Sequence, residues 1–229
     1  MKLFKPKLIK IKTFPETDDD YVDQCFKIEF QEFEENRDWF DMPEAKAVTE
    51  SGNTGKIEEA LILAKTMQNR HPDFWFPYFW RAILYSKKRN YKDVWKVLLE
   101  GLELSKSKFD LCAKLGNLEW ELAEDLPEAI KWWAKSIVIQ ISAKEFLNRD
   151  PSMARLRWND SPFFYLSYVA EQLGLSRPFW KLRGYADQIN IDKHCFIPEE
   201  AEKLYAAVHN QGTVSIGKVI ELLSEKYLS

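Results

Sequence analysis

The chain has 229 residues, 45% of them apolar and 30% charged, which is enough of the first to build a core and enough of the second to keep disorder from being the default. Its net charge of −3 lacks the basic excess with which nucleic-acid binders release counterions from phosphates, so a nucleic-acid partner is disfavoured. No run reaches the roughly 20 apolar residues that span a bilayer, and Cys25, Cys112 and Cys195 are too widely spaced for a disulfide framework or a zinc site.

The first segment, residues 1–40, opens with Lys2, Lys5, Lys7, Lys10 and Lys12 and continues with acids from Glu16 to Glu44 interrupted only by Lys27 and Arg37. Lysines recurring among the apolar residues speak against a secretory signal. With the cysteine pattern they lead to the expectation of a cytoplasmic protein without membrane insertion, although Leu3, Phe4, Leu8, Ile9 and Ile11 could touch an anionic membrane surface weakly. The acidic stretch reads either as a solvated, self-compensating surface or as a docking strip for a basic partner. Residues 7–12 alternate like a short strand or extended arm. Val22, Phe26, Phe30 and Phe33 line one helical face behind Asp18, Asp19 and Asp20, while the alternation of Phe26, Ile28 and Phe30 admits a strand paired with the lysine-rich one.

Residues 41–147 contain an internal repeat. Ala60, Val94 and Ala129 lie at equivalent places in three similar segments, at intervals of 34 and 35, and Val48, Ala82 and Gly116 keep a period of 34 in the segment before each. Ala82 and Gly116 would let two helices approach closely. Phe79, Ala82, Ile83 and Ser86 share a helical stripe in one, and Val94, Val97, Leu98 and Leu102 begin the buried stripe of the next. Gly52 to Gly55 is expected to be the turn inside the first pair, and the extra residue of the third unit is expected in the turn from Ala123 to Pro127, where Pro opens a helix.

Leu115-Gly116, Ala60, Ala129, Tyr85 and His71-Pro72-Asp73 resemble the tetratricopeptide repeat family, whose units of about 34 residues are helix-turn-helix pairs with a Leu-Gly pair, an Ala in the second helix and a closing Pro. The chain departs from that pattern at Ala47-Val48, Ser51 and Arg81-Ala82, and at Lys106 and Ile141, where the closing Pro would fall. The likeness covers roughly residues 41–141. It implies an all-α helix-turn-helix repeat solenoid.

In residues 148–229, Pro151 ends the strict period, and divergent helices are expected to cap the stack. Ser161-Pro162 starts one and Leu173-Gly174 stops it; another runs from Pro198 to about His209, and the last spans about Val214 to Tyr227.

Candidate chemistry is sparse. His71 falls in a loop and His209 near a helix end; His194-Cys195 is the adjacent pair that could serve a thiol nucleophile, but no family signature surrounds it. No catalytic residue, metal site or cofactor is assigned. An enzyme or regulatory subunit active in the C-terminal helices stays as an alternative, as does a self-associating structural protein, a homo-oligomer. The resemblance implies instead a non-enzymatic adaptor whose first helices line a groove for a peptide or protein. On that analogy Phe76, Phe79, Ile83, Ala113, Asn117 and Trp120 face the partner, or else the aromatics are core. Arg81, Lys114 and Asn117 offer part of a carboxylate clamp. Arg149, Arg155 and Arg157 with Trp158 form a second basic-aromatic surface, suited to an acidic partner or to the chain's own acidic segment.

Overall fold

The structure is a computed structural model that describes residues 18–27, 42–147, 161–189, 198–210 and 213–228. Among these residues the protein is all-α, with no strand. The helices are α1 (Asp18–Phe26), α2 (Pro43–Asn53), α3 (Ile57–Arg70), α4 (Trp75–Lys87), α5 (Tyr91–Leu104), α6 (Phe109–Leu118) and α7 (Leu126–Leu147), then α8 (Ser161–Gln172), α9 (Ser176–Ile189), α10 (Pro198–Asn210) and α11 (Thr213–Lys226). A π-helical turn, Glu119–Ala123, prolongs α6. The expected strand at residues 7–12, the segment 28–34 and the pair His194-Cys195 lie outside the described residues.

Four antiparallel-type pairs organise the chain: α2 with α3, α4 with α5, α6 with α7, and α8 with α9. Each pair turns through one residue in the left-handed region, Gly55, Arg89, Glu124 or Gly174. In three of the turns the backbone N–H after that residue donates to the carbonyl five residues back: Lys56 to Ser51, Asn90 to Tyr85, and Leu175 to Ala170, all at 2.9 Å. These are bonds of the Schellman type, which satisfy carbonyls that a helix end leaves open. In the third pair Asp125 N–H instead reaches six residues back, to Glu119 O at 3.1 Å. The extra residue of the 35-residue interval therefore sits in the π turn, one turn earlier than the Ala123 to Pro127 stretch where the sequence places it. Asp125 Oδ1 then accepts Glu128 N–H at 3.2 Å and starts α7.

Close approach within the pairs depends on small residues. A Cβ on Gly101 would stand 2.8 Å from Tyr78 Cβ and 2.9 Å from Leu111 Cδ1, and one on Gly116 would run into the Trp133 indole. Both glycines are buried in α-helices, where Gly weakens the helix relative to Ala, so their use is explained by the rings that occupy the space. Gly52, expected in a turn, lies inside α2 against Trp80 of α4.

The core falls into three groups. Ala45, Val48, Ala64, Met67, Phe74 and Phe76 join α2, α3 and α4. Tyr78, Ala82, Val94, Val97, Leu98, Leu111, Leu115 and Leu118 join α4, α5 and α6. The largest group gathers α1 and α7 to α11 around Trp133, Ile137, Phe163, Leu182, Leu204 and Leu223. Here α1 lies on α7 and α11, two helices distant from it in sequence. Tyr21 Oη donates to Pro127 O at 2.7 Å, and the Phe26 and Tyr227 rings stack at 5.9 Å. Helix α11 touches α1, α7, α8, α9 and α10, with Val219 and Leu223 fully buried.

Candidate functional site

Helices α4 and α6 are the first helices of the second and third pairs, lie against each other, and carry most of the residues that the sequence singles out. Phe79 and Ala113 occupy one repeat position, 34 residues apart, and Ile83 and Asn117 the position one turn later. The structure divides this set.

Phe79, Ile83, Lys114 and Asn117 are half-buried and so keep part of their surface in solvent. Phe79 is anchored by an edge-to-face contact with Trp75, ring centroids 5.7 Å apart, and leans on the second core group. Lys114 makes no hydrogen bond or ion pair among the described residues, leaving its ammonium available. Asn117 is partly committed: its Oδ1 accepts Trp133 Nε1–H at 2.9 Å, and its Nδ2 stands 3.5 Å from Ser161 Oγ, at the limit of a hydrogen bond. It holds the third pair to the fourth before it could hold a ligand.

Phe76, Ala113 and Trp120 are core. Phe76 is 0% exposed, enclosed by Phe74, Trp75 and Trp80, and Ala113 is likewise fully buried. Trp120, at 3% exposure, belongs to the largest core group because the π turn re-phases the end of α6, and Lys203 Nζ caps its ring at 4.9 Å. None of these three presents a ring or methyl group to a partner.

Arg81 is spoken for as well. Its side chain is 12% exposed, donates to Gln68 Oε1 and lies 3.8 Å from Glu100, while Gln68 Nε2 donates to Glu100 Oε1 at 2.7 Å. Gln68, itself buried, cannot lose these partners without leaving polar atoms unsatisfied. This network welds α3, α4 and α5 together and leaves no guanidinium for a carboxylate clamp beside Lys114 and Asn117. Lys106, at the vacant closing-Pro position, ties successive turns instead: its N–H donates to Asp73 O at 2.9 Å and its ammonium pairs with the Asp73 carboxylate at 3.2 Å.

Sequence reasoning missed two tryptophans flanking this face. Trp75 and Trp80 are half-buried on α4, beside Phe79 and Gly52. Their signal was present in the run Trp75-Phe76-Pro77-Tyr78-Phe79-Trp80, where nearly every position is aromatic.

The two described thiols are buried. Burial pushes the Cys25 and Cys112 thiols up to about 12, and it raises Tyr21 well above the ordinary tyrosine range. His71 caps α3 in the turn before α4. Among the described residues no group of three or more His, Cys, Asp or Glu is gathered as metal ligands would be, and no helix is long and apolar enough to cross a membrane. The basic cluster at Arg149, Arg155, Arg157 and Trp158 lies outside the described residues. Set against models of known protein families, against curated proteins and against solved structures, the chain matches none.

Proposed function

We propose that the protein is a non-enzymatic adaptor of the tetratricopeptide kind, whose helix pairs stack as a solenoid and whose α4 and α6 face receives an extended segment of another polypeptide. The observation that carries this reading is the half-exposed set Phe79, Ile83, Lys114 and Asn117 on two adjacent first helices in one repeat phase. A rigid scaffold whose neighbouring side chains are locked in core holds such a face at fixed geometry, which lowers the entropic cost of binding. Phe79 and Ile83 supply apolar anchors, and Lys114 supplies a cation for an acidic group or a C-terminal carboxylate.

Capture from a native cell extract with the full chain, repeated with Phe79→Ala and with Lys114→Glu, tests this. One polypeptide retained by the wild type and lost with both variants, while circular dichroism stays unchanged, is the expected result. Lys114 makes no hydrogen bond or ion pair among the described residues, so a Lys114→Glu protein that captures the same polypeptide equally well counts against this face.

A further inference from the structure

Helix α1 lies in a groove whose walls, α7 and α11, come from distant parts of the chain. Contacts at both ends fix its direction. Near its start, Tyr21 Oη donates to Pro127 O of α7 at 2.7 Å and Asp19 pairs with Lys218 of α11. At its end, the Phe26 ring stacks on Tyr227, just past α11, with centroids 5.9 Å apart. Residue numbers therefore rise together, Asp19 to Phe26 beside Lys218 to Tyr227, and α1 runs parallel to α11. Along α7 the order is the same, for Tyr21 meets Pro127 while the Cys25 thiol feels the charges of Lys131 and Lys135, one and two turns further on. Into this groove α1 buries Tyr21, Val22 and Cys25, the last completely, and it leaves Asp19, Asp20 and Asp23 exposed.

A helix of nine residues is shorter than the roughly 12 to 15 that hold together unaided in water, so α1 is helical only while docked. Its walls have other support. Helices α7 and α11 touch each other and both rest on α8, so the groove keeps its walls when α1 leaves. The core group to which Tyr21, Val22 and Cys25 belong includes Ile130, Ala134, Val219 and Leu223 of those walls, which makes the groove apolar, and Lys218 stands at its mouth to meet an acid.

We infer that α1 is an autoinhibitory strap: it fills in cis a groove between α7 and α11 whose other occupant is a short amphipathic helix of a partner protein. That helix enters parallel to both walls, with an acid in its first turn beside Lys218 and apolar side chains at the places of Tyr21, Val22, Cys25 and Phe26. The α1 of a second copy fits less well, because it would bring the same contacts without the tether and lose to the helix already in place. A partner's helix can carry stronger ones. The groove belongs to the closing helices and is separate from the α4 and α6 face.

The test uses the full chain under reducing conditions and a fluorescein-labelled peptide of residues 18–27, in which Gln24→Lys is closed to Asp20 as a lactam so that it enters as a helix. Fluorescence anisotropy is expected to show about tenfold tighter binding to a Val22→Asp chain, whose own α1 cannot dock, than to the wild type. Should circular dichroism show that Val22→Asp loses more than one short helix, Tyr21→Ala carries the same comparison. The peptide with Val22→Asp is expected to bind neither chain, and Lys218→Glu in the Val22→Asp chain to weaken the peptide about threefold. Phe79→Ala and Lys114→Glu are expected to leave peptide binding unchanged, so the two surfaces fail independently. In the wild type, α1 amides are expected to exchange hydrogen about tenfold faster than those of α7 and α11, yet more slowly than an unstructured peptide. Equal affinity for the wild-type and the opened chain overturns the inference, as does no binding to the opened chain up to roughly 1 mM. So do α1 amides that exchange only with those of α7 and α11, or as fast as an unstructured peptide. Sedimentation of the wild type as a dimer that Val22→Asp dissolves would give the groove to a second copy and overturn the partner.

Discussion

The three in-phase pairs and the helices that close the structure are built on different rules. Among the described residues the helices from α2 to α6 pack on those one or two places away in the chain, and the junctions are narrow: Trp80 over Gly52, Tyr78 against Gly101. Around α7 the contacts are long-range, for α1 and α11 meet across most of the chain, and the contact surfaces are broad apolar ones around Trp133, Phe163 and Leu223. Local stacking tolerates divergence at one unit but not at its glycines, whereas the closing region ties the N-terminal helix into a core assembled from the far end of the chain. The half-exposed face belongs to the first region, where a side chain not needed by the next unit is left to solvent.

The largest expected effect lies where the regions meet. Gly116→Ala pushes the Trp133 ring off its hydrogen bond to Asn117 and its stack on Tyr165, whose centroid is 4.6 Å away. Overpacking costs about 1 to 3 kcal/mol, and a Cβ placed 2.5 Å from Trp133 Nε1 and nearer still to its Cδ1 puts this change at the upper end, so a net loss of about 2 kcal/mol is expected in urea unfolding after a gain of about 1 kcal/mol in helix propensity. The same change at Gly184, whose missing Cβ has no described atom within 4 Å, is expected to gain about 0.5 to 1 kcal/mol, and equal signs at the two positions would break the distinction between glycines that rings crowd and those that no described residue crowds.

Next comes pH. Cys25 in the closing region and Cys112 in the third pair have folded values raised to about 12 from 9.0. A raised thiol contributes stability fully below its unfolded value, and that contribution is lost as pH rises through the folded one. Midpoints of unfolding are therefore expected to hold to about pH 9 and fall from there toward pH 12, with Cys25→Ala and Cys112→Ala each flattening the fall. A profile as steep in both variants would show that neither thiol is sealed from water.

Smaller again is Tyr21→Phe, which removes the side-chain hydrogen bond from α1 to the Pro127 carbonyl of α7 and is expected to lower stability by about 1 kcal/mol. Loss of the α1 signals in hydrogen exchange, with α2 to α5 unaffected, would sharpen the separation of the regions. Arg89→Gly is the smallest: Arg89 holds φ at 58° where Gly55 and Gly174 serve in other pairs, and relief of that conformation is expected to gain about 0.5 to 1 kcal/mol.

Much of the fold was legible because punctuation and period agree. Pro198 and the Ser161-Pro162 start mark true helix beginnings, and the 34-residue phase of Val48, Ala82 and Gly116 falls on first helices throughout. The helical reading of Val22 and Phe26 holds in α1. The phase of α4 was harder to read. Its buried face runs through Phe76, Tyr78, Ala82 and Leu84, with Phe79, Ile83 and Ser86 at the margin, because five aromatics in the six residues from Trp75 to Trp80 give no contrast between faces. Left-handed turns at Arg89 and Glu124 carry no glycine to announce them. The π turn that buries Trp120, the claim of Trp133 on Asn117 and the grip of Gln68 and Glu100 on Arg81 arise from tertiary neighbours, which local pattern does not contain. Of the proposed face, Phe79, Ile83, Lys114 and Asn117 stay partly open; Phe76, Ala113 and Trp120 went to the core.

The central claim, that the α4 and α6 face receives another polypeptide, is tested most directly by placing the photo-crosslinker benzoylphenylalanine at Ile83 and irradiating the full chain in its native extract. The expected product is one crosslinked partner polypeptide whose yield drops in the Lys114→Glu background. Crosslinks confined to the chain itself or to a second copy of it, with the same yield in that background, would contradict the account.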